Sequence, residues 1–275
     1  MKFSLNNKNI LVTGAASGLG ATLAKKAASY GGNLILIDIN GQLLKEISEE
    51  VHSQYGVNTL IKVMDVSDSN AWDDFSKELR EKFFSVDVLV NNAGIALAPK
   101  RFQEINFDQF DRMLEINLNG ALYAIRYILP LIENKTGNGI INISSLGGLV
   151  GLYGYSPYSI SKFALRGLGE ALQMEYAGEP MHHLMVYPGG IKTNIMKNAI
   201  NLEKEQSETA HSKFQKTALL TPEIAADKIW NAFFKKRNRL VMGLEARVIL
   251  SLYRILGKRS LKLLKTVFAY QSKQE

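Results

Sequence analysis

Residues 10–20 read ILVTGAASGLG, an apolar, β-type run that breaks into a glycine-rich loop and then opens onto the helical pattern ATLAKKAASY at residues 21–30. Strand, tight loop and helix in that order form the context a dinucleotide site requires. Gly14, Gly18 and Gly20 are spaced G-x-x-x-G-x-G rather than G-x-G-x-x-G, so the usual fingerprint fails. Its physics survives, because residues without Cβ allow a tight turn, close backbone approach to a pyrophosphate and close packing of the following helix. An ordinary β-to-α turn is the alternative reading.

Outward from this loop the same alternation continues. Short aliphatic or β-branched runs at residues 9–13, 33–38, 59–64, 86–90, 139–144, 181–187 and 239–242 are separated by longer amphipathic stretches, the pattern of a parallel, doubly wound α/β sheet with helices on both faces. A chain of 275 residues with 46% hydrophobic content buries a sizeable core, and one domain of this length suits the class. Cysteine is absent, which removes disulfides, thiolate nucleophiles and cysteine-ligated metals. The eight residues before the first strand are polar and leave no room for a signal peptide, and no apolar run reaches the length of a membrane span. A cytoplasmic location is therefore expected, with peripheral membrane contact left open by the tail described below.

The chemistry resides further along. Tyr158 and Lys162 lie four residues apart in YSISK, and Ser145 precedes the tyrosine by thirteen positions. One helical turn would set phenol and ammonium side by side. Tyrosine is a poor base at neutral pH; lowering its pKa from about 10 to ~7 takes roughly 4 kcal/mol of preferential stabilisation of the phenolate, part of which an adjacent ammonium can supply. Such a tyrosine is suited to general acid–base interconversion of an alcohol and a carbonyl. Alone, the tyrosine–lysine spacing is equally that of many solvated helix faces.

Taken together the motifs resemble the short-chain dehydrogenase/reductases in their single-domain form. TGAASGLG at residues 13–20 looks like the family's cofactor loop, NNAG at residues 91–94 its strand-four motif, Asn117 in EINLNG its active-site asparagine, Ser145, Tyr158 and Lys162 the rest of its tetrad, and PGGIKT at residues 188–193 its nicotinamide-side loop. The resemblance covers roughly residues 5–245 and implies a Rossmann-like sheet of seven strands in the order 3-2-1-4-5-6-7. It divides the chain into a single catalytic domain at residues 1–243, with a substrate lid near 194–217, and a basic amphipathic extension at 244–275. A solvated surface helix is the other reading of the lid.

The same resemblance implies cofactor contacts at Gly14, Ser17, Gly18, Leu19 and Gly20; at Asp38 and Ile39; at Asp65 and Val66; at Asn92, Ala93 and Gly94; at Tyr158 and Lys162; and at Pro188, Gly189, Ile191 and Thr193. Asp38, about twenty residues beyond the glycine loop, can accept hydrogen bonds from ribose hydroxyls and would repel a 2′-phosphate. Ser17, Ile39 and Asn40 leave the family's basic phosphate-binding positions empty, so NAD is the expected cofactor. Asp65 is expected either at the adenine amino group or as a cap of the next helix. In the implied mechanism Tyr158 is the general acid or base, Lys162 holds the ribose and lowers the Tyr158 pKa, Asn117 anchors a water that joins the lysine to solvent, and Ser145 orients the substrate oxygen. Thirteen-residue spacing selects Ser145 over Ser144.

Several other residues invite bland readings. His182 and His183 have no carboxylates at metal spacing, and no metal is expected. Tyr153 and Tyr155 are candidates for the substrate pocket or for loop packing. Glu223, Asp227 and Trp230 read as a peripheral helix that Thr221 caps.

The net charge of +7 is concentrated from residue 235 onward, where eleven basic residues face two acidic ones. Leu244, Val248, Leu252, Ile255, Leu256, Leu261, Leu264, Val267 and Phe268 form an apolar face there. It suits either an anionic membrane surface or a subunit interface. No groove-fitting motif accompanies it, and no nucleic acid is expected. The overall expectation is an oxidoreductase acting on a lipophilic secondary alcohol or ketone as a homodimer or homotetramer. The alternatives are an NADP-dependent carbonyl or fatty-acyl reductase and a non-catalytic cofactor sensor, against which the intact tetrad argues.

Overall fold

The computed structural model describes residues 4–82, 85–257 and 259–260. Its strands are β1 (Asn9–Thr13), β2 (Asn33–Asp38), β3 (Thr59–Val63), β4 (Val88–Asn91), β5 (Gly139–Ile143), β6 (His182–Pro188) and β7 (Arg239–Met242). The helices are α1 (Gly18–Ser29), α2 (Gly41–Tyr55), α3 (Ser69–Glu81), α4 (Phe107–Leu114), α5 (Gly120–Ile128), α6 (Ser156–Glu175), α7 (Lys204–Thr217), α8 (Pro222–Phe234) and α9 (Leu244–Leu256). Among the described residues the strands form one sheet of seven, in the order β3-β2-β1-β4-β5-β6-β7, and each pairing is parallel. This is the expected Rossmann-like architecture.

Side chains alternate across the sheet as the strand period requires. Ile10 and Val12 of β1 face one core with Leu23 and Ala24 of α1 and Trp230 of α8. Leu11 faces the other, filled by Trp72, Phe75 and Leu79 of α3 and by Ala124 and Ile128 of α5. Strands covered on both sides read as continuous apolar runs, and the central ones are buried along nearly their whole length. The order in which strands are added reverses at β1, which pairs β2 on one edge and β4 on the other. The crevice beyond the carboxyl ends of β1 and β4 therefore lies at the switch point, where ligands of such sheets bind.

Some strand boundaries differ from expectation. β4 starts at Val88, because at Val86 the amide turns to the Leu131 carbonyl and makes an isolated bridge to Ile132 instead. β3 ends at Val63 and β6 runs on through Pro188.

The start of the C-terminal extension forms α9, and it packs by a face other than the expected one. Ala246, Ile249, Leu250 and Tyr253, spaced 3-1-3, turn inward, the last three against a cluster that includes Leu149, Leu165, Met185 and Tyr187. Leu244, Val248 and Ile255 point to solvent. Leu261, Leu264, Val267 and Phe268 lie outside the described residues.

Candidate active site

The glycine loop between β1 and α1 is stitched to the segment after β4. Thr13 Oγ1 accepts hydrogen bonds from the amides of Asn92 (3.0 Å) and Ala93 (3.1 Å), while Asn92 Nδ2 donates to the carbonyls of Thr13 (3.1 Å) and Gly14 (3.3 Å). The second asparagine of NNAG thus fastens one loop to the other. Gly20 lies behind the loop: a Cβ there would come within 2.0 Å of the Gly14 carbonyl oxygen, so its role is close packing of α1 against the turn. At the front, Ser17 makes no side-chain cap and the first turn of α1 holds no acidic residue, leaving amide donors and a positive helix end free for an anion.

A cavity of about 610 Å³ opens at this point. Gly14, Ser17, Gly18 and Leu19 line it from the first loop, Asp38 and Ile39 from the end of β2, and Asp65 and Val66 from beyond β3. Asn92, Ala93 and Gly94 follow β4, and Pro188, Gly189, Ile191 and Thr193 end β6 or follow it. Ser145, Tyr158 and Lys162 complete its inner wall, whereas Gly20 and the Asn117 side chain stay outside.

Asp38 accepts from the Ala16 amide through Oδ2 (3.1 Å) and from the Asn40 amide through Oδ1 (3.0 Å), which points the carboxylate along the first loop. Capping α2 falls to Asn40 instead, whose side chain accepts from Leu43. Asp65 likewise is no helix cap, since Asp68 caps α3. Its carboxylate is held by the amide and hydroxyl of Ser67 and by an ion pair with Arg112 of α4. Burial raises its pKa, and the bonds from Arg112 and Ser67 more than offset this, holding it below the ordinary carboxylate value. Arg112, which also bonds Ser67 Oγ at 2.7 Å, lines the cavity and was not foreseen. It lies 47 positions beyond Asp65, and no local pattern links the two.

Helix α6 carries Tyr158 and Lys162 in its first two turns, with Pro157 at its start. Lys162 Nζ donates to the Ile143 carbonyl at 3.1 Å and stands 5.8 Å from the centre of the Tyr158 ring. Burial lowers the lysine pKa to about 8. The Tyr158 hydroxyl hydrogen-bonds Ser145, yet burial outweighs that bond and raises the phenol above its ordinary value. Among the protein's own groups burial is thus the stronger influence, and the part of the depression expected from Lys162 is not seen. Ser144 Oγ, by contrast, donates to the Lys162 carbonyl at 2.9 Å and braces α6, so the two serines have separate duties.

Asn117 sits in a π-helical turn, Glu115–Asn119, between α4 and α5. Its amide grips the backbone of Ile95, accepting from the amide at 2.8 Å and donating to the carbonyl at 3.0 Å, and it also donates to Met113 sulfur. That engagement makes the side chain a brace for the wall after Gly94.

Over the inner end of the cavity lies the segment expected to be a lid. Ile195, Ile200 and Phe214 line the cavity beside Ile95. Asn201 closes on the opposite strand of chain, accepting from the Ala98 amide (2.6 Å) and donating to its carbonyl (3.1 Å). Tyr153 and Tyr155 do not line the cavity; the former bonds Arg101. His182 Nε2 meets the Arg237 carbonyl at 3.0 Å, and the His183 ring stacks near Tyr176 at 5.0 Å.

Comparison with known proteins agrees with this geometry. The family model of the short chain dehydrogenases matches residues 8–204. SadH of Mycobacterium tuberculosis is 33% identical over 257 residues, covering 92% of each chain. A 3-dehydrosphinganine reductase of Danio rerio is 35% identical over 189 residues, 67% of this chain and 56% of that one. An NADP-dependent 3-hydroxy acid dehydrogenase of Schizosaccharomyces pombe is 30% identical over 238 residues, 86% of this chain and 91% of that one. Among solved structures, a short chain dehydrogenase/reductase of Burkholderia phymatum in complex with NAD superposes with a TM-score of 0.81 at 22% identity, covering 92% of this chain and 94% of the other. No described helix is long and apolar enough to cross a membrane. The chain belongs to the short-chain dehydrogenase family and is an oxidoreductase of CH–OH groups whose fold binds a nicotinamide dinucleotide, NAD or NADP.

Proposed function

We propose that this protein is an NAD-dependent oxidoreductase that interconverts an apolar secondary alcohol and its ketone, with Tyr158 as general acid and base. The observation that carries the reading is the Tyr158–Ser145 hydrogen bond on the inner wall of the cavity, with the buried Lys162 ammonium beside the same ring.

The residues present fit the cofactor. Uncapped amides at the start of α1 would receive the pyrophosphate, Asp38 the adenosine ribose, Asp65 with Arg112 the adenine side, and Lys162 the second ribose. Asp38 favours NAD, because a carboxylate repels a 2′-phosphate and exposed Ile39 offers it no cation. A bound nicotinamide would supply the hydride acceptor or donor, and its oxidised form would add a positive charge to the site. Burial alone opposes phenolate formation, so Lys162 and that charge together would bring Tyr158 into working range. Tyr158 then takes the hydroxyl proton in oxidation or returns it to the carbonyl oxygen in reduction, while Ser145 holds that oxygen. Ile95, Ile195, Ile200 and Phe214 offer the substrate a largely apolar wall, which supports a lipophilic compound. The kinship with a 3-dehydrosphinganine reductase points the same way. A homodimer or homotetramer, as in the family at large, is the expected assembly.

Calorimetric titration with NAD and NADP, followed by turnover of a panel of lipophilic alcohols and ketones, tests the reading. Tighter binding of NADP would refute the argument from Asp38. Tyr158→Phe is expected to lower turnover by at least 10²-fold while NAD affinity stays within about threefold, since positioned acid–base catalysis is worth 10² to 10⁴-fold.

A further inference from the structure

Glu245, in the first turn of α9 just after β7, reaches the loop that follows the neighbouring strand β6. Its Oε1 accepts a hydrogen bond from the Gly190 amide at 3.0 Å. The fit is close: a Cβ at Gly189 would come within 2.1 Å of that oxygen, and one at Gly243 within 2.6 Å. Residues 189 and 243 therefore have to lack side chains if the carboxylate is to lie where it does. Oε2 is buried beside it and meets no hydrogen-bond partner among the described residues. A carboxylate so placed is costly unless its position serves something. What it holds is the wall formed by Pro188, Gly189, Ile191 and Thr193. The same loop is also fixed by backbone bonds from Lys192 to the Leu220 carbonyl (2.8 Å) and from Leu220 to the Gly190 carbonyl (3.3 Å), and by Gln215 Nε2, which donates to the Thr193 carbonyl (3.1 Å).

We infer that Glu245 is a positioning residue for the nicotinamide end of the cofactor site, so that the first helix of the C-terminal extension is a working part of that site. The inference rests on the cofactor reading above. Glu245 touches neither substrate nor reacting atoms; it acts through Gly190, setting the loop at the depth where the nicotinamide half of the dinucleotide would lie. The first loop, the end of β2 and Asp65 would hold the adenosine half, and Glu245 makes no hydrogen bond to any of them. Its loss should therefore weaken one half of the ligand only.

The test compares binding of ADP-ribose, which lacks the nicotinamide, with binding of whichever of NAD and NADP the wild-type chain prefers. For Glu245→Ala, dinucleotide affinity is expected to fall about tenfold, the scale of one charge-assisted hydrogen bond, with ADP-ribose affinity within about twofold of wild type. Glu245→Gln keeps an oxygen for the Gly190 amide and is expected to restore dinucleotide binding to within about threefold. Should Glu245→Ala fail to fold, Glu245→Asp, whose carboxylate is one methylene short of Gly190, is expected to show the same selective loss. Unchanged dinucleotide affinity in the Ala variant, or in the Asp variant if Ala does not fold, overturns the role, as does an equal loss of ADP-ribose. Wild-type protein that binds neither dinucleotide nor ADP-ribose overturns the cofactor reading as well.

Discussion

In an unfolded chain the Lys162 ammonium titrates near 10.5, whereas burial in the folded protein brings it to about 8. The folded state therefore carries a cost of about 3 kcal/mol at neutral pH, at 1.36 kcal/mol for each pKa unit. The sign follows from proton uptake. Below pH 8 both states are protonated and the full cost applies; between pH 8 and 10.5 the unfolded chain holds the extra proton, so folding gains as pH rises. Lys162→Met is accordingly expected to raise the melting temperature of the protein by roughly 3–6 °C at pH 7 while abolishing turnover, and the gain should shrink by pH 10. Scanning fluorimetry at the two pH values checks this; a variant less stable than wild type at pH 7 would contradict it. The position of this lysine was legible from its spacing to Tyr158, because one helical turn is a local rule. That burial raises the Tyr158 pKa was not legible, since it depends on what the rest of the chain stacks over the ring.

At the scale of elements, the strands and their order could be read because apolar runs alternating with amphipathic stretches permit few other folds. Contacts between distant elements were out of reach. Arg112 meets Asp65 from α4, Asn117 turns to Ile95 because a π-helical turn rotates it there, and α9 packs by its Ala246 face although two apolar stripes compete on its surface. The segment expected to be a lid tells the same story: composition marked residues 194–217 as polar, but only the fold brings Asn201 to Ala98. Two hydrogen bonds at about 1 kcal/mol each should hold that closure. Asn201→Ala is thus expected to raise KM for an apolar substrate roughly tenfold with NAD affinity unchanged, by steady-state kinetics and direct titration. An unchanged KM would remove this segment from the substrate path.

Over the whole molecule, helices far apart in the sequence, α1 and α8, are locked together behind the site. Trp230 of α8 is fully buried and its indole nitrogen donates to the Leu23 carbonyl of α1 at 3.1 Å, joining residues 207 positions apart. Replacing it by Phe removes that bond and leaves a void, at a cost of about 2 kcal/mol. Urea denaturation of Trp230→Phe should show that loss with cofactor affinity preserved, because α1 presents its other end to the cavity. The same bond has a meaning for biosynthesis. On the ribosome α1 emerges long before α8, so its apolar flank, Leu23 and Ala24 included, waits for a partner 207 positions further along the chain. A translation product that stalls before residue 222 would expose that flank to chaperones and proteases, and the cell would have a ready means of telling a finished enzyme from an interrupted one.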